Sequence, residues 1–166
     1  TSTWIWSNDA WEQMSGTAVS PSCGAMGYDP ATGQLLCLGV GSWTAGGSVP
    51  QTATWDWSGI VWRRLAPSTE PQSNDEQRLV FDPATSQFVL LQSQGEEGGT
   101  LQTWTWTGST WKEQHPSTSP PSRTGFSTGY DPSTGQLLLY GGMNINSDTF
   151  YSDTWDWTGT NWVKVA

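Results

Sequence analysis

Trp155-Asp156-Trp157-Thr158-Gly159-Thr160-Asn161-Trp162 is the stretch on which the fold of this chain turns. Two tryptophans two residues apart, a Gly-Thr pair and a third tryptophan five residues on predict a tight hairpin. A two-residue loop at Gly159-Thr160 sets Thr158 opposite Asn161 and Trp157 opposite Trp162. Trp155 lies two residues back and so shares their face. Three indoles then cover one face of two strands, each able to bury roughly 150–250 Å².

The signature is written four times: Trp4, Trp6 and Trp11; Trp55, Trp57 and Trp62; Trp104, Trp106 and Trp111; Trp155, Trp157 and Trp162. The steps are 51, 49 and 51 residues. A second landmark keeps the same beat, as Tyr28-Asp29-Pro30, Phe81-Asp82-Pro83 and Tyr130-Asp131-Pro132. Such a period predicts a repeat architecture with one four-stranded unit per repeat. Twelve of the thirteen tryptophans thereby acquire a structural role, between adjacent units.

The third repeat is the most regular. Arg123 to Tyr130 reads as a first strand. Asp131-Pro132-Ser133-Thr134-Gly135 reads as a turn, capped by Asp, fixed in φ by Pro and closed by a left-handed Gly. Gln136 to Tyr140, with Leu137-Leu138-Leu139, is a short strand expected to be buried on both faces. After Gly141-Gly142 a polar loop passes Asn144, Asn146 and Asp148. Thr154 to Thr158 and Asn161 to Val165 are the third and fourth strands. The opposite face of the outer hairpins sets Asp56 across from Arg63 and Thr105 across from Lys112, read as solvent-side pairs.

Composition agrees with short strands and many turns. Of 166 residues only 13% are charged, Gly numbers 19, and no window carries sustained helical periodicity. The formal net charge of −9, with six Lys or Arg, argues against nucleic acid and anionic membranes as partners. No apolar run approaches the ~20 residues of a membrane span, and the start at Thr1-Ser2-Thr3 reads as that of a processed or excised segment. Cys23 and Cys37 are the only cysteines. The turn at Asp29 pairs that residue with Gln34 and sets Cys37 opposite Met26, an odd offset from Cys23. Opposite faces and two free, buried thiols are the expectation, unless a bulge changes the parity.

The order Arg-x-Gly, Tyr-Asp-Pro-x-Thr-Gly, apolar strand, Gly-Gly and Trp-x-Trp-x-Gly-x-x-Trp resembles a bacterial kelch-type repeat, related to the propeller domain of galactose oxidase. The resemblance covers nearly the whole chain and implies an all-β fold of kelch-like β-propeller blades. Three full four-stranded blades follow an N-terminal hairpin in a single repeat domain, with divisions at 1–16, 17–66, 67–115 and 116–166. Only the third repeat keeps both Arg123 and Gly141-Gly142; the second has Asn74 and Gln92-Ser93 there, the first Gly39-Val40-Gly41. Propellers close with ~4–8 blades. Three and a half cannot make an ordinary ring, so a fragment of a longer propeller or an assembly of copies is expected.

Catalytic chemistry finds few candidates. His115, the only histidine, sits in a loop. The copper-radical oxidation of the best-known relative needs several histidines, so that activity is not carried over, and no cofactor is expected. Asn144, Asn146, Asp148 and Asp153 alternate as oxygen ligands do at the start of a calcium site, but lack that loop's glycine and final Glu; a solvated polar loop is the competing reading. Trp43, in Gly41 to Gly47, is the tryptophan outside the signature and a candidate for stacking on a sugar, docking on a neighbour or folding over its own blade. The expectation is a non-catalytic, extracellular or cell-surface module, structural or adhesive, whose partners are copies of itself or another protein. A glycan-binding lectin is the alternative, and a glycoside hydrolase or other propeller enzyme a weaker one.

Overall fold

A computed structural model describes residues 2–14, 21–40, 52–72, 76–93 and 98–166. The fold is all-β, without helix among the described residues. A two-stranded hairpin, β1 (Trp4–Ser7) and β2 (Ala10–Gln13), comes first. Three four-stranded antiparallel sheets follow. The first holds β3 (Cys23–Tyr28), β4 (Leu35–Val40), β5 (Thr52–Trp57) and β6 (Trp62–Arg64). The second holds β7 (Gln77–Asp82), β8 (Gln87–Gln92), β9 (Gln102–Trp106) and β10 (Trp111–Gln114). In the third, β11 (Ser127–Asp131) and β12 (Gln136–Tyr140) are followed by a small hairpin, β13 (Met143–Asn144) and β14 (Thr149–Phe150), before β15 (Thr154–Trp157) and β16 (Trp162–Lys164) complete the sheet.

The polar loop after Gly141-Gly142 is therefore more ordered than expected, and the described strands number sixteen rather than about fourteen. Asn144 explains the extra pair. Its side-chain oxygen accepts from the backbone amides of Asn146 (2.9 Å) and Ser147 (3.3 Å), an Asx turn that reverses the chain. Asp148 supplies the left-handed residue at φ 49°.

Each Asp-Pro turn is built alike. The carboxylates of Asp29, Asp82 and Asp131 accept from the amide two residues on and from the Thr hydroxyl three residues on. Gly33 and Gly135 take the left-handed position; in the second repeat Ser86 takes it at φ 56°. The Gly-Thr hairpin has the expected register: Trp157 pairs with Trp162, and the Thr158 amide donates to Asn161 O at 2.9 Å. The equivalent cross-strand indoles stand 5.2–5.4 Å apart in all four repeats.

The sheets stack in chain order, with β3 against β7 and β7 against β11, and do not close into a ring. Two cores fill the spaces. Leu36 and Leu38 of the first sheet meet Leu79, Phe88, Trp106 and Trp111 of the second. Val89 and Leu91 of the second meet Leu139, Trp155, Trp157 and Trp162 of the third. The face opposite the tryptophans is thus not a solvent face in the inner sheets. Asp56 and Thr105 are buried, because that face receives the following sheet. Asp56 still pairs with Arg63 at 2.6 Å, whose side chain reaches out to water.

The cysteines form a disulfide, contrary to the expectation of free thiols. Cys37 does lie opposite Met26, but a bulge between Cys23 and Ala25 sets Cys23 opposite Gly39. Gly39 shares the face of Cys37, so the bulge moves Cys23 onto that face, with Cα atoms 5.8 Å apart. Reduction is expected to lower stability by about 2–4 kcal/mol, the usual effect of opening a short loop. Urea midpoints with and without reductant measure this, and equal midpoints would count against it.

Candidate functional site

The four signatures share a polarity that only the structure makes visible. In every internal contact the tryptophan face of one unit packs on the opposite face of the unit before it. The third tryptophan then donates its indole N–H to the threonine that precedes the earlier Trp-x-Trp. Trp62 Nε1 reaches Thr3 Oγ1 at 3.1 Å, Trp111 reaches Thr54 at 2.9 Å, and Trp162 reaches Thr103 at 2.9 Å. The same tryptophans are also held by the segment that leads into their own sheet, the Trp111 amide donating to Thr69 O and the Trp162 amide to Thr118 O, both at 3.3 Å. The threonine stands before Trp-x-Trp in all four repeats, at Thr3, Thr54, Thr103 and Thr154. That signal was present in the sequence and is explained only by the cross-sheet bond.

Burial of the signature falls toward the amino-terminal hairpin. Trp155, Trp157 and Trp162 are buried, as are Trp104, Trp106 and Trp111. Trp55, Trp57 and Trp62 are half-buried, because a two-stranded hairpin cannot cover a four-stranded sheet. A cleft of about 250 Å³ remains there, lined by Thr3, Ile5, Met26, Leu35, Trp57 and Trp62. Trp4, Trp6 and Trp11 are 50%, 55% and 63% exposed. They form an apolar face of three indoles that no described residue covers, the feature expected of a docking surface.

At the other end of the stack lies the face of the third sheet that would receive a fourth. Leu38 and Thr54 of the first sheet and Leu91 and Thr103 of the second are fully buried at these positions. In the third sheet Tyr140 and Thr154 stand there, with Tyr140 57% exposed and Thr154, Leu138 and Asp156 half-buried. Asp156 Oδ1 is buried without a hydrogen-bond partner.

The remaining candidates have other partners or lie elsewhere. Trp43 falls outside the described residues, as does Asn74. Asn144 Oδ1 is taken up by its own turn. Asp153 belongs to a buried ion pair: Arg123 Nη1 donates to Asp153 Oδ1 at 2.5 Å and to Gly141 O at 2.9 Å, while Tyr151 stacks 3.9 Å from the guanidinium. Beside it Gly142 lets the Thr124–Phe126 segment come close, since at φ 95° a Cβ would stand 2.8 Å from Thr124 O and 3.1 Å from Phe126 Cβ. Burial opposes charge at Asp153, but hydrogen bonds from Arg123 and Trp155 and the charges of Arg123 and Lys164 outweigh it and hold the carboxyl below its ordinary value. Among the described residues no three His, Cys, Asp or Glu side chains are grouped to hold a metal ion. His115 is exposed in the loop after β10. Sequence reasoning missed a further feature, a cleft of about 360 Å³ beside the small hairpin, flanked by the exposed Tyr140 and Phe150.

No protein-family model and no curated protein matches the chain.

Proposed function

We propose that this chain is a kelch-type propeller segment acting as a non-catalytic, self-associating interaction module outside the cell. One observation carries the reading: Trp4, Trp6 and Trp11 are exposed in the same signature whose last two copies are buried between sheets. Each exposed indole offers apolar area that docking would remove from water, at roughly 25 cal/mol per Å². The Cys23–Cys37 disulfide supports an oxidising compartment. The Asp-Pro carboxylates hold their own turns together, which supports structural rather than catalytic use.

Light scattering at micromolar concentration is expected to give a molar mass above 18.1 kDa, falling to that value when Trp6 and Trp11 are both replaced by glutamate. A sharp monomer of the unsubstituted protein would overturn self-association. Glycan binding remains the second reading, favoured by the exposed Phe150 and Tyr140 beside their cleft, since flat aromatic faces in a concavity suit sugar rings. Glycan-array binding abolished by Phe150→Ala would support it.

A further inference from the structure

We infer that the exposed hairpin face seats on the last sheet of a second copy, with Trp11 Nε1 donating to Thr154 Oγ1 of that copy. The inference rests on the self-association proposed above and names its geometry. The chain contains three worked examples of the contact, each an indole bonded to the threonine of the preceding unit at 2.9–3.1 Å. The series leaves one donor and one acceptor over. Trp11 has no preceding threonine among the described residues, and its indole N–H donates to no described protein atom. Among the described residues no tryptophan reaches Thr154 from a following unit, and no described side chain donates to its hydroxyl. The two surfaces match their internal equivalents in kind: three indoles on the hairpin, and on the receiving sheet Leu138 and Thr154, with Tyr140 where the inner sheets carry leucine.

The contact is heterologous, hairpin face to sheet face, so it joins copies head to tail. The described hairpin and three sheets make four positions in each copy of these 166 residues, and two copies make eight. That number lies within the ~4–8 units with which propellers close. A two-copy ring would cover both open faces at once.

Two variants with changes at exposed positions test the contact, Trp11→Glu on the hairpin and Tyr140→Glu on the receiving face. Near-ultraviolet circular dichroism and a cooperative urea transition establish that each is folded. The unsubstituted protein is expected at twice 18.1 kDa and each variant alone at 18.1 kDa. An equimolar mixture should recover a two-chain species, because each variant supplies the face that the other lacks. Thr154→Val and Trp11→Phe should each weaken association roughly fivefold to tenfold, as for one lost hydrogen bond. Combined, they should weaken it no more than either alone.

If Tyr140→Glu stays as large as the unsubstituted protein, the hairpin docks elsewhere; this inference fails while self-association stands. If the mixture stays monomeric while the unsubstituted protein associates, the head-to-tail contact is wrong. Additive losses for Thr154→Val and Trp11→Phe would overturn the Trp11–Thr154 bond. A monomeric unsubstituted protein would sink both readings together.

Discussion

Trp162→Ala is expected to lower the free energy of unfolding by about 3–5 kcal/mol, the range for deleting a core aromatic. Trp162 is fully buried in the core between the second and third sheets. Its ring lies 5.2 Å from that of Trp157, and its N–H is bonded to Thr103. Truncation therefore removes apolar area, leaves a cavity and strands a buried hydroxyl. Domains of this size are stable by only ~5–15 kcal/mol, so the loss is a large share of the whole. Trp11→Ala, the same change at the equivalent position, should cost under ~1 kcal/mol in the single chain, because that indole is already in water. Urea unfolding of the two variants, at a concentration where the chain is monomeric, gives the comparison. Equal costs would mean that the burial gradient along the stack is wrong.

The second large effect is expected at Asp153. Asp153→Ala should cost about 3–5 kcal/mol, because it leaves a buried guanidinium uncompensated. Arg123 is 1% exposed and its remaining acceptors are the carbonyls of Pro121 and Gly141. Removing both charges, as Arg123→Met with Asp153→Ala, should cost less than Asp153→Ala alone. Urea midpoints decide this, and a double variant less stable than the single one would overturn it. The pH dependence has a definite sign. The folded-state pKa of Asp153 lies below its ordinary 3.8, so its contribution is present above that value and lost as pH falls through the folded pKa. Asp131 behaves likewise, lowered mainly by the Ser133 hydroxyl and amide, then by Thr134. Asp153→Ala should therefore reduce the acid sensitivity of the protein but not remove it.

The repeating skeleton was legible because hairpin register is a local matter. Gly159-Thr160 fixes Trp157 against Trp162, and Asp29 fixes Gln34, whatever the rest of the chain does. The disulfide was not legible for the complementary reason. A single extra residue at Gly24 reverses which face Cys23 occupies; a glycine inside a strand can mark a bulge, but Gly27 in the same strand pairs in register, so the sequence does not say which of the two shifts the ladder. The Thr-to-Trp bonds were half legible. Four threonines stand in register in the sequence, yet their partners lie 57 or 59 residues away, and only the order of stacking connects them. The solvent-side reading of Asp56 and Thr105 failed on the same point, since a strand pattern does not say whether one face or both will be covered.

The stacking order also shapes how such a chain gains and loses structure. Each sheet leans on the one before it and on the one after it, so cohesion is a matter of nearest neighbours, as in a row of standing books. Residues far apart in the row have no direct stake in one another. Opening then proceeds from the weaker end: the hairpin, held to the first sheet by half-buried indoles, is the part that loosens first, while the second sheet, flanked on both sides, opens last. Amide exchange in the single chain is thus expected to be graded along the row rather than uniform, and the unit that loosens most readily there is the one bearing the open tryptophan face.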